Sequence, residues 1–106
     1  MNESEFLDLT DRIFSRIEDA IDDAGLDADF VTNGNVLEIE FDDGSKIVVN
    51  RHTSNQELWI AAKSGGYHFA RQGDQWLATR DGAEFFSTLK TAIAEACGQP
   101  DLELDL

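Results

Sequence analysis

The spacing of apolar residues changes twice along this chain, from a helical period to strict alternation and back, and few folds accommodate that order. From Glu3 to Ala24, the residues Phe6, Leu9, Ile13, Ile17, Ala20, Ile21 and Ala24 recur every three or four positions. This is the period of an α-helix that buries one face. Asn2 stands where an N-cap belongs, Glu5 follows three residues later as in a capping box, and Gly25 supplies the stop.

Beyond Gly25 the period becomes two. Phe30-Val31-Thr32 reads as a strand, closed by Asn33-Gly34-Asn35, whose Asn-Gly pair predicts a type I′ hairpin turn. In Val36 to Phe41 the residues Leu37, Ile39 and Phe41 share one face and Glu38 and Glu40 the other. Asp42-Asp43-Gly44-Ser45 turns the chain, and Lys46 to Asn50 forms a third strand with Ile47 and Val49 inward. A polar loop over Arg51 to Asn55 leads to a fourth strand at Gln56 to Lys63, with Leu58, Ile60 and Ala62 inward. Ser64-Gly65-Gly66 and Gly73-Asp74 bracket a strand over Tyr67 to Arg71, and Gln75 to Thr79 is the last.

A helical period returns from Ala83 to Cys97, carried by Phe85 or Phe86, Leu89, Ala92 or Ile93, and Ala96, until Gly98 and Pro100 stop it. The tail from Asp101 to Leu106 alternates acid and leucine, consistent with packing along the domain or with fraying. With 106 residues and no linker or repeat, the expectation is a single domain over 1–106. Its class is α+β: a two-layer αβ sandwich with the N- and C-terminal helices on one face of an antiparallel sheet. The other sheet face is left to solvent.

Charge limits the partners. The 22 acidic side chains outnumber the 8 basic ones and give a net charge of −14. That excess argues against nucleic acid and anionic membrane as partners and favours cations and basic protein surfaces, although charge also serves solubility. Cys97 is the only cysteine, so neither an internal disulfide nor a thiolate zinc cluster forms; its apolar setting predicts a buried thiol. Met1-Asn2-Glu3-Ser4-Glu5 lacks the pattern of a signal peptide, and no apolar run reaches the roughly 18 residues of a membrane span, so a cytoplasmic location is expected.

On the first helix, Asp8, Asp11, Glu18, Asp19 and Asp22 fall within a sector roughly 100° wide that is turned away from the apolar stripe. Like charges at these spacings repel, with Arg12 and Arg16 the only basic residues on the helix to relieve them. Glu18, Asp19, Asp22 and Asp23 also stand near the helix C-terminus, where the macrodipole favours cations. Local rules broken together in one place mark function, here a shallow cation surface or simply a solvated helix. Carboxylates without His or Cys suit Fe²⁺, Fe³⁺, Ca²⁺, Mg²⁺ and Mn²⁺, bound weakly. Asp27, Asp29, Glu38, Glu40, Asp42 and Asp43 extend the acidic surface.

The alternation that sends Leu58 and Ile60 inward sends Trp59 outward, beside Lys46, Val48, Asn50 and His68. An indole on an open sheet face fits a partner surface, or the covering of its neighbours. Trp76 is assigned to the core. No catalytic constellation is visible around His52, His68 or Cys97, and no helix follows Ser64-Gly65-Gly66 to make it a phosphate cradle.

Taken in order, Ile17-Glu18-Asp19, Asp22-Asp23, Asn33-Gly34, Val36-Leu37, the run from Asp43-Gly44-Ser45-Lys46 to Asn50-Arg51, and Leu58-Trp59-Ile60-Ala61 resemble the frataxin family. Lys63-Ser64-Gly65-Gly66-Tyr67-His68-Phe69 and Gly73-Asp74-Gln75-Trp76 are similar to its bacterial CyaY-type branch, and the resemblance runs from Asn2 to Gly98. It implies the αβ sandwich already expected. It also implies iron on the acidic ridge, at Glu18, Asp19, Asp22 and Asp23 together with Asp11 and Asp29. The implied partners are the cysteine desulfurase and the scaffold complex of iron–sulfur cluster assembly. They would be met by the same ridge and by Trp59, beside which the alternation places Asn50 and His68. Two departures stand out: His52-Thr53-Ser54-Asn55 replaces a loop that usually has Gln and often Pro, and Asp19-Ala20 replaces a usual Glu and a polar residue.

The function expected is therefore a regulatory, non-enzymatic adaptor that binds Fe²⁺ or Fe³⁺ weakly, other divalent cations being possible. It would be a monomer, with oligomers that iron could drive by neutralising the ridge. The alternatives are an acidic recognition module whose metal binding is incidental, or a weak ferroxidase or iron store.

Overall fold

Alternation and short turns make a sheet in which every strand lies beside its neighbour in the chain. The computed structural model describes residues 1–106. It has α1 at Glu3–Ala24, β1 at Ala28–Asn33, β2 at Val36–Phe41, β3 at Lys46–His52, β4 at Glu57–Ala62, β5 at Gly65–Gln72, β6 at Gln75–Ala78 and α2 at Phe85–Cys97. The six strands pair antiparallel in the order β1-β2-β3-β4-β5-β6.

The two helices share one face of this sheet. Phe6, Ile13, Phe14, Ile17 and Ile21 of α1 and Phe85, Leu89, Ala92 and Ile93 of α2 join the inward residues of β2 to β6 in a single core. Each such Leu, Ile or Phe contributes about 1.5–3 kcal/mol through its burial. Trp76 lies in this core, edge-on to Phe6. The tail packs rather than frays: Leu104 is buried in the core, with Leu102 and Leu106 against it.

α1 forms over the expected residues. Asn2 accepts from the Glu5 N–H, Glu5 reaches back to the Asn2 N–H, and Gly25 closes the helix in the left-handed conformation. Its buried face differs from the expected stripe. Thr10 and Phe14 are buried, Leu9 is half-buried and Ala24 is exposed. Thr10 is tolerated there because its hydroxyl donates to the Phe6 carbonyl at 2.8 Å. Phe14 widens the stripe toward Asp11 and Glu18, which explains the contacts those acids make below.

The turns and some element ends also differ from those expected. The first hairpin pairs Asn33 with Val36, so its loop is Gly34-Asn35, and only Gly34 has a positive φ, at 62°. Type I′ requires positive φ at both loop residues, so the turn belongs with the II′ pattern, which has glycine first. The β4–β5 hairpin turns at Lys63-Ser64, because Ala62 already pairs with Gly65. β3 runs on to His52, two residues past the expected end. α2 begins at Phe85 rather than Ala83, with the Glu84 carboxylate capping the N–H groups of Phe86 and Ser87. Cys97 is half-buried rather than buried, and desolvation, followed by the nearby Asp43 carboxylate, pushes its thiol up from the ordinary range. No helix is long and apolar enough to cross a membrane.

Candidate functional site

The expected metal residues lie at the surface but do not converge on one point. Asp11 is engaged by Arg51, whose guanidinium reaches it from β3. The same guanidinium nitrogen donates to the Thr10 hydroxyl at 3.2 Å and the Leu7 carbonyl at 3.3 Å, while Nε donates to the Asn35 side chain at 3.0 Å. A third basic residue therefore relieves the helix, and sequence spacing along α1 gave no sign of it.

Asp11, Asp19 and Asp23, with Arg12, Arg16 and Asp105 of the tail, line a groove of about 520 Å³ along the outer side of α1. Arg16 places its guanidinium 4.6 Å from the centre of the Phe86 ring of α2, so its charge serves the helix pair as well as the groove. Glu18 is half-buried and accepts a hydrogen bond from the Thr32 hydroxyl of β1. Asp22 is exposed. Asp29 lies on β1 directly across from Glu40 of β2, in a separate recess that also takes in Asp27 and Asp42.

No group of three His, Cys, Asp or Glu side chains converges as a metal cage. The donors are carboxylate oxygens spread along an exposed surface. Such a set suits hard or borderline cations by its charge, and it has no preformed coordination shell. Iron fits this donor set as cargo. Nothing in it offers the imidazole or thiolate ligands of a tight, selective centre.

The outward sheet face is more ordered than alternation alone predicts. Asn50, Trp59 and His68 stand side by side in register across β3, β4 and β5. The His52 ring stacks on one face of the indole with centroids 3.6 Å apart, and the His68 ring stacks on the other at 3.9 Å. The indole N–H donates to the Glu57 carboxylate at 2.9 Å. Trp59 therefore does not stand free in solvent: its ring faces are covered and the residue is half-buried. His52, expected in a polar loop, instead lies at the end of β3. Continuing the alternation of Lys46, Val48 and Asn50 by one more step would have placed it on this face.

At the far side of the same face, Lys46 pairs with Glu38 at 3.1 Å, and the hydrogen bond to that carboxylate raises its ammonium above the ordinary lysine range. The face thus grades from an acidic edge at β1–β2 to an aromatic and imidazole centre at β3–β5.

Comparison with known proteins extends over nearly the whole chain. The family model of the frataxin-like domain matches residues 1–99. The "Iron-sulfur cluster assembly protein CyaY" of Chromobacterium violaceum is 66% identical over 99 residues, covering 93% of this chain and 94% of the relative. The frataxin structure from Psychromonas ingrahamii superimposes with a TM-score of 0.87 at 33% identity, covering 93% of this chain and 94% of that one. A trimeric yeast frataxin from Saccharomyces cerevisiae, complexed with ferrous iron, shares the fold with a TM-score of 0.71 at 20% identity, covering 93% and 88% of the two chains.

Proposed function

This chain belongs to the frataxin family, in its CyaY branch, and from that premise we propose that it serves iron–sulfur cluster assembly as an iron-binding regulatory adaptor. The α1 carboxylates meet iron and a basic surface of the cysteine desulfurase in turn. The name carried by the bacterial relatives supports the pathway. One observation carries the adaptor reading: Glu18, Asp19, Asp22 and Asp23 crowd the C-terminal end of α1 with no basic residue in its last turn. Charge is held there against the helix dipole, at a cost of about 0.3–1 kcal/mol per residue, which a cation or a basic partner would remove.

The Trp59 platform supplies a second contact to the same assembly, with Asn50 and His68 beside it. On this reading the protein acts without turnover, in the cytoplasm, as a monomer that iron can bridge into oligomers. A ferroxidase role finds no histidine–carboxylate cluster to support it.

The test is an anaerobic Fe²⁺ titration followed by amide NMR, with Mg²⁺ as control and desulfurase added afterwards. Broadening confined to Glu18–Asp23 and the facing part of β1, reversed by desulfurase, is the expected result. A second reading, that metal binding is incidental to protein recognition, is favoured by the pairing of Asp11 with Arg51 and the scattered donors. Desulfurase binding with steep salt dependence, and equal, diffuse responses to both metals, would favour it.

A further inference from the structure

The β1 edge of the sheet is open. β1 pairs only with β2, and no strand follows it in the sheet order. The Arg51 N–H donates to the Asn35 carbonyl, so Val36 turns its own backbone groups away from β3 and toward Asn33. By the alternation of an antiparallel ladder, Asn33, Val31 and Asp29 spend their backbone groups on β2. Ala28, Phe30 and Thr32 therefore aim their N–H and C=O groups at the vacant side. Val31, in the middle of the strand, is 60% exposed.

An open edge with a central apolar residue is a template for another strand. Its surroundings select the occupant. Asp29 faces Glu40, the recess of about 430 Å³ at the start of β1 is lined by Asp27, Asp29, Glu40 and Asp42, and Glu18 reaches over Thr32 from α1. A second copy of this chain would bring carboxylates against carboxylates. We infer that the β1 edge accepts an extended basic segment of a partner protein by strand addition. Lysine or arginine side chains of that segment meet Asp29 and the recess, and a small apolar one covers Val31. This deepens the reading of a basic partner given above and rests on it only for the partner's charge.

The experiment needs no desulfurase and so stands or falls apart from that reading. Labelled protein is titrated with a short acetylated peptide of alternating lysine and valine, and with the same peptide N-methylated at alternate residues. Methylation keeps the charge but removes the amide donors of one peptide edge. With the plain peptide, hydrogen exchange should slow at Phe30 and Thr32, and methylation should weaken binding about tenfold, the effect of losing one to two backbone hydrogen bonds. Thr32→Pro, which removes an edge donor without touching the β2 ladder, should weaken binding as much. Thr32→Val, which loses only the hydroxyl, should bind normally. Equal binding of both peptides, protection confined to α1, or no binding at all would overturn strand addition. Protection that appears without peptide as protein concentration rises would assign the edge to a second copy, and would overturn it too.

Discussion

Arg51 on β3 bonds to Asp11 on α1 from a largely covered position: its side chain is 11% exposed, whereas that of Asp11 is 64% exposed. The pair is thus unequal, and the two residues contribute differently. Arg51 also holds the Thr10 hydroxyl, the Leu7 carbonyl and the Asn35 side chain, and its guanidinium lies 5.5 Å from the centre of the Phe14 ring. Replacing it by methionine, Arg51→Met, removes the four hydrogen bonds that this largely covered side chain makes and should cost about 2 kcal/mol. Asp11→Asn loses only a solvent-screened contact and should cost less than about 1 kcal/mol. Urea unfolding of the two variants checks the asymmetry; equal losses would contradict it.

The ridge acids act against the helix that carries them. The triple replacement Asp19→Asn, Asp22→Asn and Asp23→Asn should raise the melting temperature at low salt, because repulsion and the unfavourable dipole contact, each a few tenths of a kcal/mol per charge, are removed. The gain should shrink in high salt. The same variant should bind iron and desulfurase more weakly. Calorimetry of unfolding and of binding on one sample reads both effects. A variant that is neither more stable nor weaker in binding would sink the proposal that these charges are kept for a partner.

The stack of His52, Trp59 and His68 is open to fluorescence, since the other tryptophan, Trp76, is buried. His68→Ala uncovers one indole face and should shift the Trp59 emission to longer wavelength, with a loss of about 0.5–1.5 kcal/mol for the missing aromatic pair. His52→Ala should do the same from the opposite side. The Trp76 contribution, isolated in a Trp59→Phe background, should not move with either histidine.

At the β2–β3 turn, Asp43 accepts from the Ser45 hydroxyl at 2.6 Å and the Ser45 N–H at 2.9 Å. These bonds, the hydroxyl first, hold its carboxyl below the ordinary range. A depressed carboxylate adds stability above its unfolded value, about 3.9 for an aspartate, and that contribution is lost as pH falls through the folded value. Ser45→Ala should move the Asp43 midpoint upward in a carbon-13 carboxyl titration. The stability difference between the two proteins should be present near neutrality and vanish in strong acid.

The sequence displays the elements of this fold clearly, because both periods are strong and almost every turn carries glycine, asparagine or aspartate. The acidic ridge is equally legible, since helix geometry alone groups its charges. Contacts that join distant segments are not. Nothing near Asp11 announces Arg51, and nothing near Glu18 announces Thr32, because each partner arrives only when sheet and helix dock. His52 escapes for a different reason: a polar run of His52-Thr53-Ser54-Asn55 reads as loop, although its first residue still extends β3. Thr10 escapes because a hydroxyl in an apolar stripe is counted as polar until its bond to the Phe6 carbonyl is seen.

Since each strand pairs with the one before it in the chain, the sheet can form hairpin by hairpin, with only short loops to close. The entropy of closing a loop grows with its length, so these steps restrict the chain little. The core is different. It unites Phe6 with Leu104, residues separated by nearly the whole sequence. The two ends of the chain are thus held by the same packed interior, and a change at either end is felt at the other.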